Sequence, residues 1–240
     1  MAGRFFYSQL FVKPTHPTGD LAGKTVIVTG SNVGLGKEAA RHFTRLSAST
    51  VILAVRSLEK GEAARKDIES TTGRKDVVKV MHLDMSSYQS VLDFAEKASK
   101  ELDRIDIAVL NAGVERGSWE VFEQDESTIT VNVVSTFLLA FALLPKLKDT
   151  ARKFNTRPTL TVVSSEVHEW TPFTERHAPD GKIFEQLNKP VVDGKQVGLA
   201  NRYQVSKLLE VLFVRALCER NKADQIPVTI NLVNPGFCHS

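Results

Sequence analysis

Cysteine is scarce in this chain, with Cys218 and Cys238 the only two in 240 residues. They have neither metal-ligand spacing nor a disulfide-framework pattern. That excludes a cysteine-stapled scaffold and a zinc-finger type of site, and it predicts free thiols in a reducing, cytoplasmic setting. Excess charge is missing too: 31 Lys+Arg against 28 Asp+Glu leave a net +3. The basic residues are dispersed, which argues against a nucleic-acid binder. There is no unbroken run of about 18 apolar residues, so no membrane span is expected. The first twelve residues hold Phe5, Phe6, Tyr7, Leu10 and Phe11 but only one basic residue, Arg4, and no small-residue cleavage site. They make a poor signal peptide and are expected to pack on the domain. Repeats and low-complexity tracts are absent.

What is present is an alternation. A turn-rich lead-in over residues 1–23 gives way to β-branched runs separated by helical patterns, and 24–240 read as one domain. Strands are expected at 24–29, 51–55, 77–83, 105–110, 159–163 and 228–233. Helices are expected at 36–46, 58–70, 88–102, 126–147 and 203–219. The helix at 126–147 is apolar over much of its surface and should be buried. Strand–helix alternation of this kind predicts an α/β fold, a doubly wound parallel sheet. The stretch 170–199, with its Pro, Gly and charges, reads as an irregular insertion.

Three motif groups carry chemistry. First, Thr29-Gly30-Ser31-Asn32-Val33-Gly34-Leu35-Gly36 sits between an expected strand and an expected helix. Glycines there permit a tight turn and close approach of backbone to a pyrophosphate. The helix start offers free N–H groups and the positive dipole end. Second, Tyr203 and Lys207 are spaced i, i+4, on one face of a helix. A free phenol titrates near about pH 10, and a neighbouring ammonium would lower that value toward a usable acid/base. Third, Ser165 follows the strand at 159–163, at a carboxyl edge where α/β sites form, with Ser164 as the fallback.

The Thr-Gly-x-x-x-Gly-x-Gly spacing, with Asn111-Ala112-Gly113, Val162-Val163-Ser164-Ser165, Tyr203-Gln204-Val205-Ser206-Lys207 and Asn234-Pro235-Gly236 in this order, resembles the short-chain dehydrogenase/reductase family. Arg56 in Val55-Arg56-Ser57 and Val167-His168 after the serines resemble its retinol-dehydrogenase-like branch. The lead-in and the long gap before Tyr203 are similar to reductases of fungal secondary-metabolite biosynthesis. The resemblance implies a Rossmann-type fold and a catalytic set of Ser165, Tyr203, Lys207 and Asn132, with Asn132 holding a relay water. It implies a cofactor set of Gly30, Ser31, Asn32, Gly34, Leu35, Gly36, Arg56, Asp84, Met85, Asn111, Ala112, Gly113, Tyr203, Lys207, Pro235 and Gly236.

An NAD site commonly places a carboxylate at the end of the second strand. This chain has Arg56 there, with Lys60 as a second cation, so NADP(H) is the expected cofactor. Asp84 would bond the adenine amino group, or cap the helix near Ser86. No metal is expected.

Two departures stand out. Ser165 and Tyr203 are 38 positions apart, and the added stretch is expected to form a flap over the substrate pocket. His168 and His177 on it are candidate substrate contacts, or ordinary solvated loop residues. The sequence also stops at Ser240, just past Pro-Gly, where family members continue with a substrate-loop helix and a seventh strand. This predicts a truncated product or a site open on one side. The expected function is hydride transfer between nicotinamide and a carbonyl or secondary alcohol of a lipophilic or polyketide-like small molecule, with a homodimer one assembly the family allows. The alternative is a non-catalytic NADP(H)-binding or sensing protein. An extended-branch epimerase or dehydratase is disfavoured by the short length.

Overall fold

The computed structural model describes residues 7, 11–12, 15–192, 195–196, 198–221, 225–236 and 238. Six parallel strands form the central sheet: β1 (Thr25–Thr29), β2 (Thr50–Val55), β3 (Val78–His82), β4 (Ile107–Leu110), β5 (Thr159–Val163) and β6 (Thr229–Val233). Their spatial order is β6-β5-β4-β1-β2-β3. The order reverses at β1, which pairs with β2 on one side and β4 on the other. In a doubly wound sheet that switch point opens a crevice at the carboxyl ends of the strands.

The strands read as continuous apolar runs because both faces are covered. In β1 and β2, Val26, Val28, Val51, Leu53 and Val55 pack on one side with Ala40, Ala64 and Ile68. Those three come from helices α1 (Gly34–Arg45) and α2 (Leu58–Thr72). Ile27, Ile52 and Ala54 point the other way. They meet helices α3 (Tyr88–Glu101), α4 (Thr136–Phe154) and α5 (Leu199–Arg220). The period-2 side-chain alternation of a strand thus feeds two cores at once.

The long central helix is not one regular helix. Glu126, fully buried, caps its start by accepting from the amides of Thr128 (3.0 Å) and Ile129 (3.2 Å). Residues Thr130–Ser135 then form a π turn before α4 continues to Phe154. The wider turn shows in the Thr136 hydroxyl, which donates five residues back to the Val131 carbonyl at 3.0 Å. Such π bulges occur often at functional sites, and this one carries Asn132.

One expectation needs a qualification and another a correction. The segment Ser127–Phe154 contains an 18-residue window of mean hydropathy 1.9, so by length and composition it could cross a membrane. Thr128, Thr130, Asn132 and Ser135 break the apolar run without lowering its average enough. The window is 72% buried here, as in a core helix. In the lead-in, Tyr7 and Phe11 are 62% and 70% exposed and touch each other, rather than packing on the sheet. Leu21 N–H donates to the Leu46 carbonyl, at the end of α1, at 2.7 Å. Phe5, Phe6 and Leu10 lie outside the described residues.

The insertion has short structure of its own: 3-10 turns Glu166–Trp170 and Thr174–His177, a helix Ile183–Leu187 and a two-residue ribbon, Val191–Val192 with Lys195–Gln196. None of its described residues lines the cleft, where a flap was expected. It is held beside the start of α5, where Phe173 and Leu187 pack with Ile129 and Val205. The Asn188 side chain bonds Glu126 N–H at 2.9 Å and Asp125 at 2.7 Å. A buried ion pair joins Glu175 of the insertion to Arg202, the residue before Tyr203. Arg202 is fully buried, and its Nε and Nη2 have no hydrogen-bond partner among the described residues.

Removing one member of a buried pair strands the other charge, at a cost of about 3–5 kcal/mol. Arg202→Met is therefore expected to lower the urea-unfolding free energy by that amount. Arg202→Met with Glu175→Leu should recover most of it. A single variant costing under about 1 kcal/mol would show that the clamp contributes little.

Candidate active site

The crevice at the switch point is a cleft of about 710 Å³. One end is walled by Gly30, Asn32, Leu35, Arg56, Asp84 and Met85, and the other by Ser165, Tyr203, Lys207, Pro235 and Gly236, with Asn111, Ala112 and Gly113 between. Segments distant in sequence converge because each loop leaves the carboxyl end of a parallel strand.

The glycine loop is built from both sides. Gly30 has φ +64°, a left-handed conformation that favours glycine. A Cβ there would approach the Ala112 Cα at 3.0 Å, so Ala112 must be small as well. A Cβ on Gly36 would lie 2.5 Å from Asn111 Nδ2 and 2.6 Å from the Gly30 carbonyl oxygen. Gly36 thus lets α1 pack against the loop. The Thr29 hydroxyl oxygen accepts from the amides of Asn111 (3.0 Å) and Ala112 (2.9 Å). Asn111 Nδ2 in turn donates to the Thr29 carbonyl at 3.0 Å. This mutual brace locks the loop after β1 to the loop after β4. At the helix start, Val33 gives α1 no side-chain cap, so no side chain competes for its first amides.

Not every predicted cofactor residue lines the cleft. Ser31 is buried and donates to the Val28 carbonyl at 2.7 Å. Ser31, Gly34 and Gly36 lie outside the lining set. Arg56 is exposed at the tip of β2 and makes no ion pair among the described residues. Asp84 accepts from the Ser86 amide (2.9 Å) and hydroxyl (2.7 Å), and Ser87, not Asp84, caps α3. His168 and His177 are also outside the lining set; His168 Nδ1 lies 2.7 Å from the Ser165 carbonyl oxygen and His177 pairs with Arg176 on the surface.

At the other end, α5 presents Tyr203 and Lys207 one turn apart. Lys207 Nζ donates to the Val163 carbonyl (3.0 Å) and to Glu210 Oε1 (2.9 Å). It lies 5.6 Å from the centre of the Tyr203 ring. Ser165 is at the mouth and interacts with Tyr203. Ser164 is turned inward, its hydroxyl donating to the Lys207 carbonyl at 3.2 Å. Asn132 is fully buried. Its Nδ2 donates to the Val114 carbonyl (2.9 Å) and the Ser206 hydroxyl (3.0 Å), while Oδ1 accepts from Val114 N–H (2.8 Å). Both side-chain donors are committed and the residue does not line the cleft. Its side chain clamps the loop after β4 to α5.

The family model described as short chain dehydrogenase matches residues 24–156. This chain belongs to the short-chain dehydrogenase family. It is 55% identical over 237 residues to a short chain dehydrogenase/reductase of Cryptosporiopsis sp. (strain 8999), covering 98% of this chain and 72% of that protein. A short chain dehydrogenase of Emericella nidulans is 48% identical over 238 residues, covering 98% and 73%. Among solved structures, a short chain dehydrogenase from Escherichia coli CFT073 superposes with a TM-score of 0.67 at 25% identity, covering 94% of this chain and 85% of that one. Another from the same organism, solved with NADPH, gives 0.66 at 26% identity, covering 92% and 80%.

The electrostatics of this short-chain dehydrogenase correct a further expectation. The Tyr203 phenol is pushed up, not down. Burial is the main cause, followed by the carboxylates of Glu210 and Glu115, while a hydrogen bond with Ser165 pulls the other way. The Lys207 ammonium is held by Glu210 and the Val163 carbonyl. Sequence reading passed over Glu210. The signal was available: a lone carboxylate among Leu208, Leu209, Val211 and Leu212, one turn after Lys207. Glu115 and Arg116, also in the cleft wall, follow Asn111-Ala112-Gly113 after one intervening residue, Val114, and carried no pattern of their own.

Burial raises the Glu210 carboxyl from 4.5 to about 7. The folded chain therefore binds more protons than the unfolded chain between those values. This stabilising contribution is complete below pH 4.5 and is lost as pH rises through about 7. Glu210→Gln has no such proton. The difference in unfolding free energy between wild type and Glu210→Gln should therefore move against wild type across that window. Urea-denaturation curves at several pH values measure it, and a pH-independent difference would refute the assignment.

Proposed function

We propose that the chain is an NADP(H)-dependent oxidoreductase that transfers a hydride between nicotinamide and a carbonyl or secondary alcohol of a lipophilic or polyketide-like small molecule. We read residues 24–240 as its dinucleotide-binding and catalytic domain, acting in the cytoplasm. The observation that carries this reading is the single cleft that joins Tyr203, Lys207 and Ser165 to the glycine loop and Arg56.

The residues present fit the cofactor. Gly30 and Ala112 are small where a dinucleotide must pass, the cap residue of α1 makes no side-chain hydrogen bond, and Arg56, with no ion pair among the described residues, lines the same cleft and would suit a 2′-phosphate. A bidentate guanidinium–phosphate contact is a strong, charge-assisted one. Asn32, Leu35, Asp84, Met85, Asn111, Gly113, Pro235 and Gly236 complete the surface that would hold it. The relative solved with NADPH supports this choice. Bound NADPH would supply the hydride, two electrons and a hydrogen nucleus, that turns a carbonyl carbon into a carbinol carbon.

This chain's side chains manage the oxygen. Ser165 donates a hydrogen bond to the carbonyl oxygen as negative charge grows there. Tyr203 gives its phenolic proton to that oxygen, completing the alcohol, and the resulting phenolate takes a proton from solvent through the open mouth. In the oxidative direction the same protons move in reverse. Lys207 keeps α5 against β5 and sets the field at the phenol. Val114, Phe122 and Val131 give the cleft the apolar wall that suits a lipophilic substrate.

Tyr203→Phe is expected to lower NADPH consumption on a ketone panel about 10²–10⁴-fold while NADPH still binds. Unchanged turnover would reject the role of Tyr203. NADPH binding without oxidation on any ketone, in wild type, would favour a non-catalytic binding protein. Arg56→Asp should reduce the ratio of NADPH to NADH affinity about tenfold or more, read by fluorescence titration. An unmoved ratio would remove Arg56 from cofactor choice.

A further inference from the structure

Lys207 has two neighbours on its own helix face. Tyr203 is one turn before it and Glu210 one turn after. Glu210 is 2% exposed. Its Oε1 accepts from Lys207 Nζ at 2.9 Å, and its Oε2 is buried with no hydrogen-bond partner among the described residues. Ser164, from the end of β5, also faces this carboxyl. A buried carboxylate with one oxygen unsatisfied is costly, and a leucine there would extend the apolar run that surrounds it. Its placement puts a negative charge directly behind the ammonium of the proposed active site.

Resting on the oxidoreductase reading above, we propose that Glu210 is a positioning residue: its carboxylate holds the Lys207 ammonium from behind and offsets its charge at the Tyr203 ring. Three features support this. Two of the three Lys207 N–H groups are fixed, by Glu210 and by the Val163 carbonyl. The ammonium sits 5.6 Å from the ring centre, near enough for its charge to act unless offset. The phenol is raised by burial first, then by Glu210 and by Glu115, from the loop after β4. The neighbouring guanidinium of Arg202 is committed to Glu175. Glu210 thereby extends to higher pH the range in which Tyr203 is in its acid form, the form that protonates a carbonyl oxygen.

The chain has three tyrosines, which makes the test direct. Tyr7 is exposed, and the Tyr88 phenol is pushed up to about 12 by burial and Asp125. Phenolate absorbance is recorded through the alkaline range in which circular dichroism shows the fold intact. Subtracting the Tyr203→Phe curve isolates Tyr203. Glu210→Gln keeps an acceptor for Lys207 but removes the charge. It should raise the Tyr203 phenolate fraction at fixed pH about threefold or more, moving the curve to lower pH. Glu210→Met, which fills similar volume without charge, should move it the same way and serves if the first variant does not fold. A curve that stays in place or moves to higher pH in the folded variant overturns the proposal, since a merely structural Glu210 would change stability and leave the phenol alone. The readout needs neither cofactor nor substrate, so its failure is distinct from failure of the oxidoreductase reading, which the turnover of Tyr203→Phe reports.

Discussion

One ammonium group ties the chemistry to the scaffold. Lys207 Nζ bonds the Val163 carbonyl at the last residue of β5, and so fixes α5 to the carboxyl edge of the sheet. The Asn132–Ser206, Ser164–Lys207 and Glu175–Arg202 links also hold this helix, but the Lys207 ammonium is the one among them beside the Tyr203 ring. With it, the phenol is held at a defined place beside the loops that follow β1 and β4. The same nitrogen meets Glu210 behind and approaches the Tyr203 ring in front, so position and charge are set by one group. Placing a charge there carries a desolvation cost that its partners must offset.

The rest of the molecule supports that point from both sides. The Thr29–Asn111 brace makes the two cofactor-facing loops a single unit. Asn132 ties this unit to α5 through Val114 and Ser206, and the Ser206 hydroxyl in turn bonds the Tyr203 carbonyl at 2.7 Å. On the far side, the Glu175–Arg202 pair anchors the insertion to the residue preceding Tyr203. The site is thus a junction of short polar links between rigid elements, an arrangement that holds reacting groups more closely than loops alone.

Much of this was legible in the sequence, and the reasons for the rest are physical. Strand and helix positions follow from local periodicity, and β5 matches its expected residues, 159–163, throughout. Motif residues at strand ends were legible because parallel topology gathers those ends at one edge. The π turn at Thr130–Ser135 was not, since it arises from how the helix must widen to seat Asn132. The roles of Asn132 and Glu210 depend on partners 18 residues away in one case and on burial in the other. The insertion read as a flap because polar, proline-containing composition resembles a mobile loop. Its Phe173, Leu187 and Glu175 instead found buried partners that only the tertiary structure supplies.

The account stands on the claim that the Tyr203 phenol meets a bound dinucleotide inside the cleft. A crystal structure of the chain with NADPH tests it most directly. The predicted result places the pyrophosphate over Gly30–Leu35, the 2′-phosphate against Arg56, and the nicotinamide ring beside Tyr203, Lys207 and Pro235. A dinucleotide seated elsewhere, or a Tyr203 hydroxyl directed away from the ring toward bulk solvent, would contradict it.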